Sequence, residues 1–206
     1  MCQRFTPFSI PEAQMTLDQL LETGSAHIPD VTLEAGIQDA FPGSSVPIFL
    51  PNANGKLQVQ TAHWGFRIDD NRKLYFNTRL ETALLQFETG TGLWAKAIQQ
   101  GRCLIPVHAF YERHNTDIEY SSKTGKPIHK LYRITYDGVK AFLLAGIYEN
   151  DKFSIMTTEP NAFMAPIHNR MPLVLGQGES RIWLSESFGS LTDRSHIDLT
   201  ATSTSY

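Results

Sequence analysis

The 206-residue chain is 41% hydrophobic and 19% charged, and its formal net charge is −3 at pH 7. That length suffices to bury a substantial core in a single domain spanning residues 1–206, while the acidic balance argues against holding nucleic acid by bulk charge, leaving only a local basic groove. Two cysteines, Cys2 and Cys103, exclude a disulfide framework and a CxxC zinc site, and no apolar run approaches the roughly eighteen residues of a membrane span. No metal, cofactor or membrane is therefore expected. With no charged-then-apolar leader at the start, the expectation is a cytoplasmic protein, nucleoid-associated if the source is bacterial.

In chain order, "IPEAQMTLDQLLETG" predicts a helix, with Pro11 in its first turn, an apolar stripe through Met15, Leu17, Leu20 and Leu21, and Gly24 as its stop. A loop at "FPGSS" precedes a series of β-rich runs: "VPIFL", "KLQVQTAHWGF", "KLYFNTR", "RCLIPVHAFYER", "KLYRITY", "AFLLAGIYE", "KFSIMTT" and "MPLVL". Two helical segments, "ETALLQFE" and "GLWAKAIQQG", interrupt them and break at Gly90 and Gly92. "HNTDIEYSSKTGKPIH" reads as a polar excursion between strands, "EPNAFMAPIHNR" as holding one helical turn, and "ESRIWLSES" as a short helix. Many strands with few helices predict an α+β fold whose sheet closes or folds over.

Cys2 is the most unusual placement. Once Met1 is removed, it carries a thiol and a free α-amine on adjacent carbons, with reference pKa values of about 8.5 and 7.7–8.0. An aldehyde would form an imine with the amine, and the thiol would close a five-membered thiazolidine on the same carbon. Taken alone, a second-position cysteine is more simply a frayed chain end. Asn77 and Glu112 end apolar runs; a carboxylate there is either partly desolvated, with a raised pKa, or merely exposed and paired with Arg113. His168 and Arg170 lie between Pro166 and Pro172, a restrained loop suited to a proton shuttle, although a loop histidine is more often just solvated. Trp64 in "HWGF" offers either a stacking platform or core packing. Arg4, Arg67, Arg72, Lys73, Arg79, Arg102, Arg113 and Arg170 fall in or beside these segments.

Taken together and in this order, "MCQRF", "FPG", "HWGF", "NTRLETA", "RCLIPVHAFYE", "AGIYE", "TTEPN" and "IHNRMPLVL" resemble the SOS response-associated peptidase family, whose members crosslink to abasic sites in single-stranded DNA. The resemblance implies strands folded into a mainly antiparallel pseudo-barrel with peripheral helices. It implies Cys2 as the nucleophile exposed by self-removal of Met1, Asn77 positioning its amine, Glu112 as acid/base, and His168 protonating the sugar oxygen. It further implies Arg4, Arg79 and Arg170 on phosphates, Trp64 stacked near the lesion, and a monomer whose partner is abasic single-stranded DNA. Gln3 stands where the family usually has Gly, and Arg113 where many members have Trp. An amidohydrolase acting in trans and a non-covalent single-stranded DNA binding module are the alternatives.

Overall fold

The computed structural model describes residues 2–23, 37–67 and 73–204, without the side chains of residues 20–23. Strands β1 (Arg4–Pro7), β2 (Ser45–Pro51), β3 (Leu57–Trp64), β4 (Asn77–Arg79), β5 (Arg102–Tyr120), β6 (Pro127–Tyr136), β7 (Phe142–Glu149), β8 (Lys152–Thr158), β9 (Met171–Pro172), β10 (Val174–Leu175) and β11 (Leu199–Thr204) form one sheet. Helices α1 (Ile10–Thr23), α2 (Leu80–Thr89), α3 (Ala95–Gln100) and α4 (Glu179–Leu184) accompany it, with a 3-10 turn at Glu186–Ser190.

The sheet closes because β5 pairs with both β2 and β7, and the path β7–β8–β3–β2 completes the circuit. All pairings are antiparallel except those of β3 and β4 with β8. The ring is uneven: β5 and β7 match over six residue pairs, from Arg102↔Ile147 to Val107↔Phe142, whereas β2 and β5 meet at the single pair Phe49↔Leu104. The fold is the expected mixed α+β arrangement.

Continuous apolar runs form strands here because both faces of the ring are covered. Ile48, Cys103, Ile105 and Leu144 point into an inner core with Phe5, Trp64, Phe110, Phe153 and Ile155. Their neighbours Phe49, Leu104, Leu143 and Ala145 point outward into a second core with Ala13 and Leu17 of α1, Leu80 and Ala83 of α2, Ala97 and Ile98 of α3, and Trp183 of α4. The period-two alternation of side chains thus sends adjacent apolar residues into separate cores.

Helix α1 starts with a reciprocal cap: the Ser9 N–H donates to Glu12 Oε2 at 3.1 Å and the Glu12 N–H donates to Ser9 Oγ at 3.2 Å. The other Glu12 oxygen lies 2.8 Å from His108 Nε2 on β5, with both side chains buried. His108 stacks on Phe8, ring centroids 4.7 Å apart, and its Nδ1 lies 3.0 Å from the Lys140 carbonyl. The expected stripe of α1 is revised: Met15 is 61% exposed, and Ala13, Thr16 and Leu17 form the buried face. The side chains of Leu20 and Leu21, Gly24 and Arg72 lie outside the described residues.

Helix α2 ends at Gly90, whose φ of 66° is a left-handed conformation that glycine adopts without penalty. The excursion after β5 is itself strand: β5 continues to Tyr120, and β6 begins at Pro127. "MPLVL" splits into β9 and β10 around Leu173, and only Asn77–Arg79 of "KLYFNTR" is strand. The helical turn in "EPNAFMAPIHNR" is present, with Ala165 N–H bonded to Asn161 O at 2.9 Å and His168 N–H to Met164 O at 2.8 Å.

Candidate active site

Three distant segments converge on Cys2. β1 pairs antiparallel with β5, Arg4 opposite Tyr111 and Phe5 opposite Phe110, which carries the residues preceding β1 toward Glu112. β4 pairs with β8, Asn77 opposite Ile155, and the Asn77 Nδ2 donates to the Cys2 carbonyl at 2.8 Å. Asn77 Oδ1 is buried and meets no hydrogen-bond donor among the described residues. The Cys2 thiol is fully enclosed and donates to the Arg4 carbonyl, with sulfur and oxygen 3.4 Å apart.

The electrostatics couple thiol and carboxyl. Burial, with the nearby Glu112 charge, pushes the Cys2 thiol well above the ordinary thiol range, and burial raises the Glu112 carboxyl to about 7. Cys103 is also raised by burial and packs in the inner core, among the same buried residues as Cys2 and Trp64. Glu112 and His168 line one cavity of about 350 Å³ with Gln3, Arg4, Phe41, Tyr111, Arg113 and Leu131. Burial lowers the His168 pKa, and the Arg170 N–H donates to its Nδ1 at 3.1 Å. The same Nδ1 also lies 3.1 Å from the Arg170 carbonyl, so the loop holds the ring in place and the imidazole is neutral with either nitrogen able to carry the proton.

Asn161 anchors the turn that delivers His168. Its Oδ1 accepts from Met164 N–H at 3.0 Å, and its Nδ2 donates to the carbonyls of Arg194 and Ile197 at 3.3 and 2.9 Å. The arginines are less available than expected. Arg170 is 12% exposed, forks onto both oxygens of Glu81 at 2.7 and 2.9 Å, and donates to the Thr157 carbonyl. Arg4 lines the cavity but is ion-paired to Asp39 at 2.6 Å and stacked on Tyr111, 4.2 Å from the ring centre. Arg79 is exposed at the start of α2.

Trp64 requires a correction. It is wholly buried between Phe5, Phe76 and Phe153, and its Nε1 donates to the Phe76 carbonyl at 2.8 Å. It therefore packs in the core and fixes the residue before Asn77 instead of presenting a face to a base. Gly65 beyond it has a φ of 117°, and a Cβ there would come within 2.5 Å of the Leu74 side chain, so only glycine lets the chain fold back toward Tyr75. Asp39, Glu81 and Asn161 support the site, and although Glu81 and Asn161 fall within "NTRLETA" and "TTEPN", sequence reasoning gave none of the three a role. Asp39 is thirty-five positions from Arg4 and Glu81 eighty-nine from Arg170, so no local pattern announces either pair.

A family model described as "SOS response associated peptidase (SRAP)" matches residues 1–204. The chain is 30% identical over 204 residues to the abasic site processing protein YoaM of Bacillus subtilis (strain 168), covering 90% of this chain and 79% of that one. It is 29% identical over 202 residues to YoqW, another abasic site processing protein of that strain, covering 90% and 80%. The crystal structure of a phage-related protein from Bordetella bronchiseptica superposes with a TM-score of 0.68 at 21% identity over 98% of this chain and 94% of that one. A protein from Bacteroides thetaiotaomicron gives 0.64 at 21% identity over 98% and 91%. These two likenesses share the fold, and with the family match over nearly the whole length they lead to one statement: the chain belongs to the SOS response-associated peptidase family.

Proposed function

We propose that the protein processes abasic sites in DNA by removing its own Met1 and then joining Cys2 covalently to an abasic site in single-stranded DNA. The observation that carries this reading is the junction of Cys2, Asn77 and Glu112 from β1, β4 and β5, beside a cavity that also holds His168. The similarity to abasic site processing proteins supports the substrate.

Maturation hydrolyses the Met1–Cys2 amide, consuming one water and releasing methionine and the Cys2 α-amine. Glu112, with a pKa of about 7, is poised to accept a proton from the attacking group and return it to the departing nitrogen. Asn77 holds the Cys2 carbonyl from one side and offers the free amine a buried acceptor, Oδ1, on the other.

In the second stage an abasic deoxyribose opens as its C1′–O4′ bond breaks, His168 giving O4′ a proton while the anomeric hydroxyl loses one. The amine then attacks the aldehyde carbon and water leaves, forming an imine. The thiol adds to that carbon, its proton passing to nitrogen, and the thiazolidine closes with net loss of one water. A missing base removes any unpairing cost, so single-stranded substrate enters most readily.

The test is incubation of the Met1-free protein with an abasic oligonucleotide, followed by a denaturing gel. A shifted band lost in Cys2→Ala is expected. No band from wild type, or an equal band from Cys2→Ala, would sink the reading. Reversible, salt-sensitive binding that survives Cys2→Ala would assign a non-covalent module instead, and turnover of an added peptide would assign an amidohydrolase.

A further inference from the structure

The strand pair beyond Glu112 has no part in the chemistry at Cys2. β5 and β6 keep register as far as Arg113↔Leu131, both on the cavity wall, and resume it from Ile118↔His129 to Tyr120↔Pro127. Residues 114–117 are surplus on β5 and form a bulge, the device by which a strand changes direction. The N–H groups of Thr116 and Asp117 donate to His114 Nδ1 at 3.3 and 3.0 Å. The bulge is tied to the site, since Asn115 N–H donates to the Ile167 carbonyl, next to His168, at 2.8 Å.

Past the bulge, residues 118–130 form a two-stranded arm on which no residue is buried. Its turn is closed by Gly125 N–H to Ser121 O at 2.8 Å and Ser121 N–H to Lys126 O at 2.9 Å. Ile118 and Tyr120 are 54% and 73% exposed and share one face with their cross-strand partners His129 and Pro127. Glu119, opposite Ile128, points to the other face. The arm carries Lys123, Lys126 and Lys130 against that one carboxylate, in a chain whose net charge is −3.

An exposed face that carries Tyr120 and no carboxylate, on a lysine-rich arm that extends the strands of the cavity wall, matches the stacking-plus-phosphate chemistry of single-stranded nucleic acid. We propose that this arm is a second binding surface that takes the single strand leaving the Cys2 cavity, with an unpaired base on Tyr120 and phosphates on Lys123 and Lys126. The proposal rests on the reading of Cys2 above for the strand's point of departure, but its test does not.

Fluorescence anisotropy with undamaged oligothymidines of about 4 and about 15 nucleotides, the span of single-strand site sizes, reads the arm without any crosslink. Tyr120→Ala should weaken the longer oligonucleotide at least about fivefold and leave the shorter unchanged, with Tyr120→Phe restoring affinity. Lys123→Ala with Lys126→Ala should flatten the log-affinity against log-salt slope by about 1.4. Unchanged affinity in both variants would overturn the proposal. So would an equal loss on the short oligonucleotide, or a duplex of the same length bound as tightly with the same dependence on Tyr120. Crosslinking measured in parallel separates the two readings. Wild type that never crosslinks yet shows the Tyr120 effect refutes Cys2 chemistry and supports the arm, whereas normal crosslinking with no arm effect refutes the arm alone.

Discussion

In the proposed chemistry a single carboxyl, Glu112, links stability to catalysis. Its pKa of about 7 in the folded protein exceeds the unfolded reference of about 4.3, so the folded state holds an extra proton between those values. Its contribution to stability is therefore full below about pH 4 and is lost as pH rises through about 7, by up to roughly 4 kcal/mol. Glu112→Gln should remove that slope from urea-denaturation free energies measured between pH 4 and 8. If Glu112 acts as base, Met1 loss in the wild type should accelerate with pH and level off above about 7, while Glu112→Gln keeps Met1; intact-mass spectrometry follows both. Trp64→Ala should cost about 3–5 kcal/mol, the usual penalty for emptying a buried aromatic site, with no specific loss of DNA affinity in the folded fraction. Loss of affinity without loss of stability would restore the stacking role. Taken singly, Cys2, Asn77, Glu112 and His168 are each ambiguous in the sequence; the ordered motifs that contain them are what single them out together. The role of Trp64 is not legible, because a strand-end indole looks the same in sequence whether its face is covered or open, and here Phe5, Phe76 and Phe153 cover it.

Among the elements, α1 is held to the ring by the buried Glu12–His108 contact as well as by Ala13 and Leu17. Removing either member of this buried polar pair leaves the other's polar atom without its neighbour, so Glu12→Ala or His108→Ala should each cost about 1–3 kcal/mol, with the double substitution less than additive. A double-mutant cycle by chemical denaturation checks this, and additive losses would show that the 2.8 Å approach carries no coupling. Helices α2 and α3 are legible from the glycines that follow them, Gly90 and Gly101, and the long strands from their apolar runs. Strand β1 is not, nor are the bounds of β4 within "KLYFNTR" and of β9 and β10 within "MPLVL", because two to four residues carry too little periodicity and owe their conformation to the long strands beside them. The same holds for the arm: its polarity suggests a loop, but pairing with a regular partner makes exposed polar residues as extended as buried ones.

Over the whole molecule, net charge and local charge diverge. With Arg4 and Arg170 already engaged by Asp39 and Glu81, binding to an undamaged single strand should release few counterions. A slope of log affinity against log salt no steeper than about −3 is expected, equivalent to about four phosphate contacts. A steeper slope, measured by anisotropy between about 50 and 200 mM salt, would mean that both arginines leave their carboxylates on binding. Ring closure is foreseeable in kind from the number of strands, but the order of strands is not, because β1 pairs with the distant β5, Arg4 opposite Tyr111, and the hydroxyls of Thr6 and Tyr111 meet although 105 positions apart. That long reach has a temporal meaning. During synthesis the Cys2 end emerges first, but its partners Asn77, Glu112 and His168 follow only after much of the chain has been made. If those partners are needed to uncap Cys2, a nascent or misfolded chain keeps its Cys2 nitrogen blocked as an amide, and maturation serves as a proofreading step that arms only chains that have closed their ring.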